Sequence, residues 1–139
     1  MIDFHYETDF QINEEHKYVD WISRVVASED RGIKQLDYVF CSDNFLWELN
    51  KKHLNHDTFT DIITFDYSEE KELGGDIFIS IDRLMENAKT YGAEFENELL
   101  RVMSHGLLHL MGYNDKSKLD RAEMRAKEDE KIKMFHVEQ

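Results

Sequence analysis

Proline is absent from all 139 residues, which leaves six glycines as the main punctuation of the chain. Any element boundary must then be read from glycine, from capping residues and from changes in hydrophobic period. The opening IDFHY alternates apolar with polar residues and predicts a short strand. Asn13 can cap a helix with Glu14 and Glu15 in its first turn and Val19, Ile22, Val25 and Val26 inward. After Gly32, QLDYVFC predicts a second strand. Ser42 or Asp43 can cap the next helix, in which Phe45, Leu46, Leu49 and His53 recur at helical spacing before the polar loop LNHDTFTD. DIITFDY is a third strand, the charged SEEKE follows, and Gly74 and Gly75 precede a fourth strand, DIFIS. The short polar link between these two strands predicts a hairpin. Beyond Ile81 the pattern turns helical over 81–91 up to Tyr91-Gly92, over 94–111 up to Gly112, and over 117–133 with dense mixed charge. That order implies an α/β (α+β) fold in which a small mixed four-stranded sheet is covered by helices.

The length suits one domain, 1–139, with no repeat or linker, and 41% hydrophobic and 12% aromatic residues are enough to fill one core. No apolar run approaches the roughly 18 residues that span a bilayer, and the N-terminus is acidic where a secretory signal would be basic. A cytoplasmic protein without membrane contact is expected. The single Cys41, set in the apolar YVFC, is expected to be a buried thiol and rules out both an intramolecular disulfide and a cysteine zinc site. The 30 acidic against 17 basic residues give a net charge of −13, which argues against tight non-specific binding of nucleic acid. An RNA enzyme of this composition needs basic residues clustered beside its site, or a partner that supplies the positive surface.

The chemistry concentrates in SHGLLHLMGYND. His105 and His109 stand four residues apart in a strongly apolar helix, so their imidazoles project from one face about one turn apart and can chelate one cation. Gly112 can end the helix and swing the chain back, bringing Asp115 toward the same point from the following loop. The spacing H-x-x-x-H-x-x-G-x-x-D matches that of metzincin-type zinc sites with two differences. Gly106 replaces the glutamate that serves those peptidases as general base, so a peptidase mechanism lacks its proton acceptor. Asp115 in the third position can bind zinc, with some shift toward harder metals. Three protein ligands leave a coordination place for water, the requirement for a catalytic ion. His53 and His56 flank a turn, and His5, His16 and His136 read as structural or exposed. Glu98 lies two helical turns before His105 on a similar face, as a general-base candidate or as a core-lining residue.

HGLLHLMGYND resembles the signature of the YbeY family, HGxLHLxGYDH, over its first ten positions except that Asn114 stands where aspartate is usual. Upstream, LNKKHLNHDTFTDIITF resembles the family's LNxxYRxxDxPTDVLSF, and GDIFIS its GDIxIS, in the same order and spacing. The resemblance implies a single α/β domain with one zinc ion per chain, acting as a single-strand-specific endoribonuclease in ribosomal RNA maturation. The 3′ end of the small-subunit RNA and ribosome quality control are the implied settings, with ribosomal RNA, small-subunit proteins or assembly factors as partners. Carried over by position, the ligands are His105, His109 and Asp115, the last replacing the family's third histidine. Leu54 falls where the family has a functional arginine, His53 on its tyrosine and Phe59 on the proline of PTD. The loop LNHDTFTD would form one wall of the cleft, with Asp57, Thr60 and Asp61 as catalytic or substrate-positioning candidates; Thr60-Asp61 also reads as a turn before the strand. A rival from another class is a ribosome-assembly binding factor whose metal only staples the helix end to its loop. A third reading keeps a metal hydrolase but gives it a small phosphoester or a peptide. The terminal helix KSKLDRAEMRAKEDEKIKMF reads as a solvated face of mixed charge or as a docking element.

Overall fold

The computed structural model describes residues 1–54 and 60–137, with the backbone alone at residues 53 and 54. Strand β1 (Ile2–Tyr6) leads through helix α1 (Glu15–Ser28) to β2 (Gly32–Cys41), and α2 (Asp43–Leu54) leads to β3 (Ile62–Asp66) and β4 (Glu72–Ser80). Helices α3 (Ile81–Tyr91), α4 (Phe95–Leu110) and α5 (Lys118–His136) complete the order. The sheet runs β1-β2-β4-β3, with β1, β2 and β4 parallel and β3 antiparallel to β4. Parallel neighbours need a crossover, which α1 supplies between β1 and β2. The expected mixed four-stranded sheet under helices is therefore observed, as is the hairpin, which reverses at Glu70 (φ 54°) beside the Glu69–Glu72 bridge.

Period-two alternation divides the interior. Register places Phe4 beside Tyr38 and Ile77, and Tyr6 beside Phe40 and Ile79, and this face meets α1 and α4 in the main core. The opposite face carries Cys41, Ile63, Phe65 and Phe78, which pack a smaller cluster with Leu46 and Leu49 of α2. Cys41 is fully buried, as expected, and burial pushes its thiol up to about 12, helped by Asp82, Glu7 and Asp43.

Several boundaries differ from those read in the sequence: β2 starts at Gly32 rather than at Gln35, α5 runs on to His136, and two further shifts have a visible cause. Helix α1 begins after Glu14, which adopts a left-handed backbone (φ 58°) and makes no side-chain cap; Asn13 lies outside it, and the Glu15 carboxylate takes the Tyr6 hydroxyl instead. Strand β4 starts at Glu72 rather than after the glycines. Gly75 lies within the strand, where its neighbours leave no space for a side chain: a Cβ there would lie 2.6 Å from the Phe65 carbonyl of β3 and 3.1 Å from Leu110 Cδ1 of α4.

Helix α5 is not simply a solvated face. Met124, Glu128, Lys131 and Ile132 are buried, and the helix is tied to α1 by Trp21 Nε1 donating to the Lys131 carbonyl (2.8 Å) and Arg24 donating to that of Met134 (2.7 Å). Lys131, 1% exposed, donates to Glu29 (2.8 Å), which also accepts from Lys127 (3.2 Å) and from the Tyr113 hydroxyl (2.8 Å). Burial alone would raise the Glu29 pKa, but these donors hold it at about 2. A carboxylate depressed in the folded state stabilises above its unfolded pKa and loses that contribution as pH falls toward the folded value. The unfolding free energy is therefore expected to drop between pH 4.5 and 2, with on the order of 2 kcal/mol of that drop belonging to Glu29. Urea titrations across this window should show a shallower acid loss in Glu29→Gln; equal slopes would remove Glu29 from the account.

Candidate metal centre

Helix α4 is long and mostly apolar, and Leu99, Leu100, Met103, Leu107 and Leu108 bury one side of it against the sheet and neighbouring helices. The Tyr38 hydroxyl donates to the Met103 carbonyl (3.1 Å), fixing its height over β2. That burial turns His105 and His109 outward along one partly exposed stripe, with side chains 21% and 27% exposed. The helix closes at Met111. Gly112 then takes φ 97°, and Tyr113 N–H returns to the Leu108 carbonyl (3.0 Å), reversing the chain and carrying Asp115 back over the last turn.

The three residues singled out by spacing meet. His105 Nε2 and His109 Nε2 are 3.0 Å apart, and Asp115 Oδ2 lies 3.3 Å from the first and 3.4 Å from the second. A tetrahedral ion with bonds of about 2.0–2.2 Å needs its ligand atoms about 3.3–3.6 Å apart, so this triangle fits one with little adjustment. Among the described residues it is the one group of three histidine, cysteine or carboxylate side chains that converges in this way.

Behind the triangle lies a residue that the sequence did not disclose. Glu128 of α5, buried, sits with Oε2 2.6 Å from His105 Nδ1 and accepts from Arg101 at Oε1 (2.9 Å), while Arg101 also reaches Asp129 (2.7 Å). A carboxylate at Nδ1 fixes the proton there and leaves the Nε2 lone pair for the ion. Burial would lower the His105 pKa, but Glu128, Asp115 and Asp61 together raise it above the ordinary imidazole value. No local spacing links 105 to 128. The only sequence signal is that Met124, Glu128, Lys131 and Ile132 fall on one helical face.

A cleft of ≈ 290 Å³ opens beside the triangle, lined in part by Asp61, Asn87, Glu98, His105, Asp115 and Glu128. Asp61 therefore stands at the site, and its carbonyl also accepts from Ser80 N–H (3.0 Å) across β4. Its carboxylate takes the Asn87 amide (3.4 Å), and burial raises its pKa against the pull of His105. Glu98, 6% exposed, is raised by burial and by Asp61, while Asn87 also bonds to it. Asn87 thus links two carboxylates that share one cleft. Thr60 is placed before β3, its hydroxyl on the Ile62 carbonyl (3.3 Å), which is the turn reading rather than a contact with the triangle. Asp57 and His56 lie outside the described residues, as do the side chains of His53 and Leu54. His5 of β1 pairs with Asp37 of the neighbouring strand β2 (2.8 Å).

Gly106 has a packing reason. A Cβ there would lie 2.9 Å from Ile77 Cγ2 and 3.0 Å from Ile62 Cδ1, so this position faces the sheet and a glutamate would force helix and sheet apart.

The profile of the family described as Endoribonuclease YbeY matches residues 2–136. The chain belongs to that family. It is 55% identical over 139 residues to Endoribonuclease YbeY of Flavobacterium psychrophilum, covering 100% of this chain and 99% of that protein. It is 52% identical to Endoribonuclease YbeY of Flavobacterium johnsoniae, covering both chains completely. Among solved structures it resembles the solution structure of TM1509 from Thermotoga maritima, with TM-score 0.69 and 27% identity over 97% of this chain and 89% of the other. Membership of the YbeY family places the chain among enzymes, hydrolases that act on RNA, and the His105–His109–Asp115 cluster fits a metal-dependent one.

Proposed function

We propose that residues 1–139 act as one domain, a metal-dependent endoribonuclease that cuts single-stranded RNA during ribosomal RNA maturation, at the 3′ end of the small-subunit RNA, and in ribosome quality control. The observation that carries this is the ligand triangle, with edges of 3.0 to 3.4 Å and Glu128 behind His105, at the mouth of a cleft in a chain of this family. We assign one zinc ion to His105, His109 and Asp115. When bound, it supplies a Lewis acid for a phosphodiester oxygen and lowers the pKa of water toward neutrality. In hydrolysis the oxygen of water bonds to phosphorus as one P–O ester bond breaks. The residues of the chain position that exchange: Glu128 holds His105 in one tautomer, and Asn87 holds the Asp61 carboxylate toward the cleft. Asp61, its pKa raised by burial, is suited to take a proton from the attacking water, and Asp57, four residues earlier in the sequence, is assigned to substrate positioning. Ribosomal RNA, and small-subunit proteins or assembly factors, are the proposed partners, in the cytoplasm. Among the described residues no helix is long and apolar enough to cross a membrane.

A net charge of −13 favours a second reading, a ribosome-assembly binding factor in which the ion is structural. Cleavage of a single-stranded RNA carrying the small-subunit 3′-end sequence separates the two. The zinc-loaded wild type should cut it, and Asp61→Asn should lower kcat by about 100-fold with the zinc retained. No cleavage by the loaded wild type, with binding to the small subunit intact in His109→Ala, would establish the binding factor instead.

A further inference from the structure

Helices α3, α4 and α5 supply most of the lining of the cleft beside the triangle, and its two exposed side chains have no task in the metal site. From α3 comes Tyr91, one turn beyond Asn87 and therefore on the same helix face. It lines the cleft while 70% exposed, a large ring kept in water next to a polar site. From α5 comes Arg125, one turn before Glu128 and also exposed. The other arginine of the cleft, Arg101, is committed to Glu128 and Asp129. Arg125 has no ion-pair partner among the described residues and acts on Glu98 only through its field. An unpaired guanidinium among Asp61, Glu98, Asp115 and Glu128 is the local positive charge that an acidic chain needs to admit a phosphate.

Resting on the endoribonuclease reading, we propose that Tyr91 and Arg125 form the single-strand grip of this site: the Tyr91 ring stacks on an unpaired base, and Arg125 holds the phosphate of the neighbouring nucleotide. Both are positioning residues. Discrimination against duplex follows, because a paired base has both faces covered by its neighbours and offers none to Tyr91. The guanidinium gives affinity without sequence preference, and the ring gives a preference for unpaired bases whatever their identity.

The test is fluorescence anisotropy of zinc-loaded protein with a labelled short single-stranded RNA and with the matching hairpin duplex, across a salt series, beside steady-state cleavage. Tyr91→Ala should weaken single-strand binding about tenfold and raise KM with kcat kept, leave the salt slope unchanged, and bring single strand and duplex closer together; Tyr91→Phe should restore wild-type binding. Arg125→Ala should weaken binding to a similar degree and reduce the slope of log K against log salt by about 0.7, with Arg125→Lys restoring the slope. Unchanged KM, salt slope and duplex discrimination in these variants, beside a wild type that binds and cuts single-stranded RNA, overturn the grip and leave the endoribonuclease standing. A loaded wild type that neither binds nor cuts single-stranded RNA overturns both.

Discussion

Replacing Glu128 by alanine is expected to lower the unfolding free energy by about 3 kcal/mol and the zinc affinity by roughly 10–100-fold. Both losses come from one buried carboxylate with two partners. Oε1 takes Arg101 and Oε2 takes His105 Nδ1, and the Glu128 side chain is only 7% exposed. Removing it leaves a guanidinium 15% exposed whose remaining ion pair among the described residues is with Asp129, a side chain 52% exposed. The cost is dominated by the charge left behind rather than by the contact removed. At the metal the effect is on orientation: without an acceptor at Nδ1, His105 is free to change tautomer and to rotate away from His109 and Asp115. Glu128→Gln separates the two effects, because its amide oxygen still accepts at Nδ1 but brings no charge, so zinc affinity should fall less than in the alanine variant. Urea denaturation of the zinc-free proteins and competition with a chromophoric chelator read the two losses independently. Wild-type zinc affinity in Glu128→Ala would show that His105 is oriented by packing alone.

His109→Ala is expected to reduce bound zinc from about one ion per chain to background and RNA cleavage with it, while the fold persists. Two ligands, one imidazole and one carboxylate, do not hold zinc against a chelator at neutral pH. The fold should tolerate the change because the His109 side chain is 27% exposed and lies outside the apolar face of α4 that meets the sheet. Asp115→Ala should give the same loss of metal with still less effect on stability, since Asp115 is 42% exposed on the loop after Gly112. Elemental analysis of protein purified without a histidine tag, together with thermal unfolding, checks both. Equal zinc content in wild type and His109→Ala would place the ion elsewhere and dismantle the site.

The features legible in the sequence are those set by short-range geometry. Helical periodicity puts His105 and His109 on one side of α4, and a glycine able to adopt φ 97° lets residue 115 return to them, so the ligand set follows from eleven consecutive residues. Alternation in IDFHY and in the apolar run around Val39 likewise follows from the period of two, as does the hairpin from its short polar link. Such patterns survive in the sequence because each depends on backbone stereochemistry within a few residues.

Tertiary structure alone decided the rest. Glu128 reaches His105 across 23 residues because α5 folds back along α4, and its neighbours in the sequence are the same mixture of acids and bases found on a solvated helix. Asp61, Asn87 and Glu98 come from a strand entry and two helices, and Tyr91 and Arg125 from helix faces that converge only once those helices pack. Gly75 reads as a break before a strand, and Gly106 as a missing glutamate, until the sheet and α4 are packed: the Phe65 carbonyl and Leu110 then leave no room for a Cβ at 75, nor Ile77 and Ile62 at 106. A local pattern can specify which side chains share a face; which faces meet is decided by the burial of the whole apolar surface, to which residues far apart in the chain contribute together.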